Sequence, residues 1–478
     1  MSTYRPRKNG SILLLVLVFS TVALVVLVSL TNWAGTTVRL ARNAINRELA
    51  VEIAEGGNDY YRWHLAHAAN DFKDGTTTSG PYQHSFLDKD GDLAGSFTLT
   101  ITAPPAGSTL VTVSSLGKVV ADPTTDRTIQ SQLAIPSLAL YAVAANDNMR
   151  FGAGTEVFGP ITSNGGIHFD GVAHNIISSA RSTYVDPDTG TTQFGVYTQV
   201  SPADPTPPAA VPNRSDVFLA GRQFPVAAVD FTGMTTNLAQ LKTSAQTASG
   251  RYFSNSGFLG YHIILKTNDT FDLYKVKTLY PAPSGCSNSA SQTGWGTWSI
   301  GSAGSAQQFV ANYAFPANGV IFVDDNLWID GQISGARLTI GAGTFPDNSA
   351  TRRSITVNAP LLYTNFDGTD VIGLVAQQDL NVGLVSSDAL TIDGALIAEN
   401  GRVGRYYYGN NCSPYDNRSS ITLFGMIASN VRYGFAYTDG SGYDIRNINY
   451  DGNFLYSPPP SFPLTGSQYQ TISWRESK

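Results

Sequence analysis

From Ser11 the chain meets no charged residue until Arg39, and within that stretch Ile12 to Leu30 is an almost unbroken apolar run. At about 1.5 Å per residue its roughly 19 residues match the ~30 Å hydrocarbon core of a bilayer, so the pattern predicts one spanning helix with Ile12, Leu15 and Leu30 in the membrane. The segment before it carries Arg5, Arg7 and Lys8 and no acid, which predicts a cytoplasmic N-terminus and export of everything after Leu30. Beyond the run, apolar or small residues recur at Val38, Ala41, Ile45, Leu49 and Ile53, spacings of three and four that line one helix face. Arg42, Asn46, Glu48, Glu52 and Glu55 fall on the other faces. One helix from about Ser11 to about Phe72, about 90 Å long on the same rise, is expected, half in the bilayer and half amphipathic outside it.

The GTTTSG stretch from Gly75 ends that pattern. Alternation in SFTLTIT from Ser96 and TLVTVSS from Thr109, with turns at Asp90-Gly91 and Pro104 to Gly107, predicts a small antiparallel sheet packed on the helix as far as Ile135. From Met149 short alternating runs are punctuated by Gly, Asn and Asp every five to eight residues. The same texture returns from Val320, where two short strands, a polar corner and an apolar-x-apolar-x-Gly unit recur; Leu327-x-Ile329-x-Gly331 and Leu390-x-Ile392-x-Gly394 are clear copies. Strands this short bury their apolar sides only by stacking, so a parallel β-helix or solenoid is expected, with an antiparallel β-sandwich as the alternative. Between the two repetitive parts lies an insert at about 201–310. It holds a proline-rich connection from Ser201, a short helix at Leu238, Leu241 and Ala245, a hairpin turning at Asn268-Asp269, and a loop of low apolar content from Pro281 to Gly304.

Composition agrees with an exported, β-rich protein: charged residues are 14%, with 46 Gly and 24 Pro, and the fold class expected is α+β, mostly β. The net charge of −6 makes the whole chain a poor electrostatic match for nucleic acid, and no nucleic-acid partner is expected. Cys286 and Cys412 are the two cysteines. In an oxidising compartment they can form one bridge, which closing so long a loop would make worth about 4 to 5 kcal/mol; two free cysteines are the alternative, because the spacing carries no signature.

Three readings compete for the N-terminal segment. A cleaved secretory signal is weakened by an apolar run longer than the usual ~7–15 residues, and a plain signal anchor is the second. The third turns on Gly10: basic residues, a glycine, then a long apolar helix is the arrangement of a type IV prepilin, cleaved after the glycine so that Ser11 becomes the new N-terminus. Together with AVEIAEGGNDYYRWHLAH from Ala50, this segment resembles the PilX-type minor pilins over roughly residues 5 to 70, and GRVGRYYYG, FGMIASNVRYGFAYTDG and LYSPPPSFP look similar to the large ectodomains of PilX-like proteins. Major pilins carry a glutamate at the fifth mature position, where this chain has Leu15. The resemblance there is to tip-type subunits such as the K-type pseudopilins, which also lack that acid.

Candidate chemistry is sparse. His64 and His67 share a helix face without a third ligand, and His168 and His174 flank a turn without acid clusters at ligand spacing; no metal or cofactor is expected. Asp88, Asp90 and Asp92 place Gly91 at the fourth position of a loop, where an EF-type calcium loop needs it at the sixth, so a hairpin turn is the better reading. Asp324 and Asp325 would point to opposite sides of a strand. Asp330, Asp379 and Asp393 read as corner residues, and Arg402 and Arg405 bracket a glycine, so the clustered carboxylates of a polysaccharide-active enzyme are not expected. Tyr406, Tyr407 and Tyr408 form a run that predicts at least one exposed ring, suited to glycan or surface contact, or else aromatics packed over a solenoid edge.

The domains expected are a leader at 1–10, a transmembrane and stalk helix at 11–74, a pilin-like head at 75–135 and a β-helix-like ectodomain at 136–478. The function implied by the resemblance is that of a minor, tip-type pilin-like subunit in pilus assembly, adhesion or surface contact, not an enzyme. Its partners would be other pilin or pseudopilin subunits, a prepilin peptidase, the inner membrane and a surface glycan. It would lie as a single-pass membrane protein with the ectodomain exported to the cell surface or pilus. A membrane-anchored surface binding protein without a filament role is the alternative, and a β-helix polysaccharide-active enzyme a further one.

Overall fold

The computed structural model describes residues 11–104, 109–135, 137–231, 234–464 and 468–477, with only the backbone at Ser11 and residues 234–236. Gly10 and most of the expected turn at Pro104 to Gly107 lie outside them. The chain is α+β and mostly β: one long N-terminal helix, then strands. It divides into two compact units, the first formed by the helix, the strands up to Leu133 and the C-terminal residues from Ser473, the second by the remainder.

In the first unit the helix runs Ser11–His67, ending short of Phe72, where Asp71 accepts from the backbone N–H of Lys73 and Gly75 and fixes the exit turn. Its apolar N-terminal part is long and hydrophobic enough to cross a membrane, and none of it is buried against the protein. Burial begins at Ala50 and continues through Ile53, Ala54, Tyr61 and Leu65. Val38 and Ile45, expected on the same amphipathic face, are exposed. The buried turns rest on an antiparallel sheet of Tyr82–Leu87, Leu93–Thr102, Val111–Val119, Asp122–Ala134 and Gln470–Ser477, whose inward side chains include Phe97, Leu99, Val113 and Ile129. Backbone and helix meet closely: a Cβ on Gly117 would lie 2.2 Å from the Ala50 carbonyl oxygen. The fifth strand corrects the expected ectodomain of 136–478, because its residues from Ser473 belong here. Ser473 Oγ donates to Gln132 Oε1 at 2.7 Å, and Arg127 pairs with Glu476 at 3.2 Å.

The second unit is a parallel β-solenoid with three ladders. The first passes through Arg251–Phe253, Val320–Val323, Arg337–Ala342, Val371–Ala376 and the second halves of Ala389–Ala398 and Asn417–Ser429, then through Val143–Ala145, Ile161–Ser163, Ile177–Ser179 and Arg222–Gln223. Chain order and stacking order therefore differ. The chain enters mid-stack at Val143, winds to one end, crosses to the other through residues 224–250, and winds back until Ile427 pairs with Val143. Stacked aliphatic side chains fill the interior: Leu327, Ile355, Leu380 and Val403 sit in register on successive strands, and Ile329 and Ile392 belong to the same buried core. The outer side of the first ladder is covered by Leu238, Leu241 and Ala245 of the helix Met234–Ala245, and by Leu138, Phe454 and Phe462.

The expected insert is only partly an insert. Arg251–Phe253 and Gly260–Lys266 are ladder strands. The hairpin turns as expected at Asn268-Asp269, with Asp269 in the left-handed region at φ 60°, and Gln307–Ala314 adds a further antiparallel strand on it.

A candidate binding cleft at the solenoid seam

Where Ile427 meets Val143 and Ile448 meets Val157, the first ladder and a second, which passes through the first halves of Ala389–Ala398 and Asn417–Ser429, then Gly442–Tyr450, Thr155–Phe158 and Val172–Ala173, run through the junction unbroken. The third does not. Val403–Arg405 is followed only by the bridge Gly404 to Gly434, while Met149–Phe151, Ile167–Phe169 and Val196–Tyr197 form a separate three-stranded sheet. The segment Val431–Gly440 causes the break. Gly434 lies so near Gly404 that a Cβ there would come within 2.2 Å of the Gly434 oxygen; the chain then closes a tight turn, Tyr437 N–H donating to Ser441 O at 2.9 Å, before Gly442 starts the next strand. The core nevertheless continues beneath, with Tyr433 5.1 Å from Phe151 and 6.0 Å from Phe435 between ring centroids. Above these rings the gap opens as a cleft of about 760 Å³, whose charged lining is Arg150, Arg402, Arg432, Arg446, Asp188 and Asp444.

One wall is a compensated charge network. Arg432 donates to both oxygens of Asp188, at 3.0 and 2.9 Å, and Arg150 reaches Asp188 at 3.2 Å and Asp170 at 3.5 Å. Burial pushes the Asp188 carboxyl up, but the hydrogen bonds and charges of Arg432 and Arg150 together outweigh it and hold the group below the usual carboxylate range. Behind this wall His168, fully buried, stands between Asp170 (Nε2, 2.9 Å) and Asp186 (Nδ1, 3.1 Å), and the Tyr197 hydroxyl donates to Asp186. Burial and then the Asp186 carboxylate raise the Tyr197 phenol. Ligand atoms of His168, Asp186 and Asp188 lie within 4.8 Å of one another. Both Asp188 oxygens are already held by guanidinium groups, and the two His168 nitrogens face Asp170 and Asp186. The acids around His168 correct the expectation that it lacks them; they come from Asp170 and from the Asp186 turn, brought together by stacking.

The other two arginines are held chiefly by neutral groups. Arg402 lies over the Tyr406 ring at 4.6 Å and donates from Nη1 to the Tyr437 hydroxyl at 3.1 Å, while its Nη2 is buried without a hydrogen-bond partner. Arg446 donates to Thr155 Oγ1 and to the carbonyls of Ala153, Tyr443 and Asp444, and burial lowers its affinity for its proton. Among the described residues neither arginine makes an ion pair within 4 Å, although Asp379 acts on Arg402 and Asp444 on Arg446 through charge. The Tyr437 hydroxyl also accepts from Gln292 Nε2 at 3.0 Å and donates to Arg405 O at 2.8 Å, which fixes the ring at the cleft wall.

Most expected site residues lie elsewhere. Ser11 opens the helix, and Ile12, Leu15 and Leu30 are exposed along it. Cys286 and Cys412 are joined in a disulfide. The tyrosine run is not a ledge: Tyr406 and Tyr408 are buried, with their hydroxyls on Asp379 and Gly296 O, and Tyr407 is half-buried with its hydroxyl on Asp439 at 2.6 Å. The run follows the end of the strand Val403–Arg405, and the disulfide-linked loop covers it. The aspartates are not open corners either. Asp393 is buried and accepts from Tyr363 N–H, and Asp379 is held by Arg402 N–H. Asp330 faces His262 at 2.9 Å. Asp324 pairs with Lys242 at 2.8 Å and Asp325 with Ser256. His64 contacts Asp71 at 3.1 Å, His67 Nδ1 donates to Trp63 O at 2.8 Å, and His174 lies 3.1 Å from Glu156. Asp88 accepts from the N–H of Asp90 and Asp92 in the expected turn.

No protein-family model matches the chain, and no curated protein matches it. Among solved structures, the crystal structure of the competence-associated pilin ComZ from Thermus thermophilus aligns over 90% of this chain and 97% of that one, at 13% identity and a TM-score of 0.32. At that identity and score the likeness settles neither the fold nor the role of this chain.

Proposed function

We propose that the chain is a minor type IV pilin-like subunit, anchored in the inner membrane with its N-terminus cytoplasmic, that carries the solenoid outside the membrane for pilus assembly, adhesion or surface contact. The observation behind this reading is the division of the single helix Ser11–His67. Its first part is apolar and unburied, its last turns from Ala50 are buried under an antiparallel sheet, and between them Val38, Leu40 and Ile45 stay exposed. A soluble helix would not leave so long an apolar surface uncovered, whereas a bilayer and then neighbouring helices of the same kind would cover it. Leu15 in place of the usual acid favours a subunit at the tip, because a buried carboxylate needs a partner that a terminal subunit does not have to supply. Other pilin subunits and a prepilin peptidase are the partners that follow.

Mass spectrometry of the mature N-terminus tests the reading. A chain beginning at Ser11 is expected, and Gly10→Val should leave an uncleaved precursor in the membrane. A wild-type chain retaining residues 1–10, or unchanged processing of the variant, would leave only a permanently anchored surface protein.

A further inference from the structure

We infer that the seam cleft binds an acidic oligosaccharide, a short sugar chain bearing carboxylates. The proposal deepens the surface-contact reading by naming its ligand; it needs an exported solenoid and no filament. Four arginines line the cleft against two aspartates, in a chain whose net charge is −6. Arg150 and Arg432 are engaged by Asp188, whereas Arg402 and Arg446, on which Asp379 and Asp444 act through charge, make no ion pair within 4 Å among the described residues. A partly buried guanidinium whose nearest carboxylate stands beyond ion-pairing distance is only partly compensated, and a ligand anion in contact with it supplies the remainder. Arg402 is held for that task. Tyr406 stacks beneath it, Tyr437 takes Nη1, and Nη2 keeps an unused donor, an arrangement suited to a planar oxyanion.

The remaining lining points to a sugar. The volume of about 760 Å³ exceeds what inorganic phosphate needs and falls in the range of small-ligand sites, about 300–1,000 Å³. Tyr437, half-buried and braced edge-on by Tyr407 at 5.0 Å, offers part of a ring face. Gln292 and Thr438 add neutral polar groups for hydroxyls. Acidic peptides bind through side-chain pockets or strand edges, and the rings that would form such a pocket here, Tyr433 and Phe435, are buried in the core.

The test is titration of the detergent-solubilised full chain with trigalacturonate, its methyl ester, hexaglutamate and inorganic phosphate, followed by calorimetry. Saturable binding of trigalacturonate that weakens with salt is expected, with the ester at least tenfold weaker. Arg402→Gln should weaken binding tenfold or more. Thr438→Glu, an exposed rim position, should do the same through repulsion without moving the thermal midpoint, so a folding defect in the first variant cannot decide the matter. Absence of saturable binding, equal binding of the ester, no effect of Thr438→Glu, or hexaglutamate or phosphate binding as tightly would each overturn the proposal. A chain processed at Ser11 that fails to bind sinks the cleft alone. One that binds but keeps residues 1–10 sinks the pilin reading alone.

Discussion

Burial raises the Asp393 carboxyl from its ordinary value to about 6, with the nearby Asp451 adding to the effect and the Tyr363 N–H opposing it. The unfolded chain should titrate near 3.8, so the sign follows directly. Below about pH 4 both states hold the proton and the residue costs nothing. Between about 4 and 6 the native state keeps a proton that the unfolded state has released, and stability falls as pH rises. Above about 6 the full cost is present, on the order of 3 kcal/mol from two pKa units. Asp393→Asn keeps an acceptor for Tyr363 N–H and removes the charge, so the variant should gain on wild type between pH 4 and pH 7. Denaturant titrations of both proteins at the two pH values would show a widening difference; a constant one would mean that Asp393 stays solvated. The identity of this residue was plain in Leu390-x-Ile392-x-Gly394, but its setting was not, because alternation along one strand says nothing about what the next coil lays over its outer face.

Elements were legible wherever the periodic signal was local. The apolar run and the spacings of three and four place the helix, Asn268-Asp269 places the hairpin, Leu238, Leu241 and Ala245 place the short helix, and the apolar-x-apolar-x-Gly units place the strands. Pairings between distant segments left no such mark: Arg432 and Asp188 are 244 residues apart, and the seam that joins them exists only because the chain enters the stack at its middle. The C-terminal strand was missed for the same reason, since TISWRE alternates without naming its partner sheet. Within the stack, Leu380 lies between Ile355 and Val403 in register and is fully buried. Leu380→Ala should therefore cost about 2 to 5 kcal/mol, against a change of within about 0.5 kcal/mol for Phe309→Ser on the exposed strand Gln307–Ala314. Comparable losses at both positions would mean that the outer strand, not the stacked interior, limits unfolding.

At the scale of the molecule the disulfide has work that spacing alone could not assign. Cys286 sits in a loop with little apolar content, and the bond to Cys412, 126 residues on, holds that loop against a satellite core of Leu384, Tyr406 and Tyr408. The loop then pays back in hydrogen bonds: Trp295 Nε1 donates to Tyr407 O at 3.1 Å, Tyr408 OH to Gly296 O at 2.7 Å, and Trp328 Nε1 to Trp298 O at 3.0 Å. Gln292, on the same loop, accepts from Tyr407 N–H and donates to Tyr437, so the bond stabilises one wall of the cleft from outside it. On the chain-entropy model a loop of this length is worth about 4 to 5 kcal/mol. Replacing both cysteines by alanine should lower the thermal midpoint of the oxidised chain, reductant should lower wild type by the same amount, and the variant should not respond to reductant. Trigalacturonate affinity should fall with the disulfide if Gln292 depends on it. A stability change under about 1 kcal/mol with unaltered binding would mean that the aromatic contacts hold the loop unaided and that the bond serves neither the fold nor the cleft.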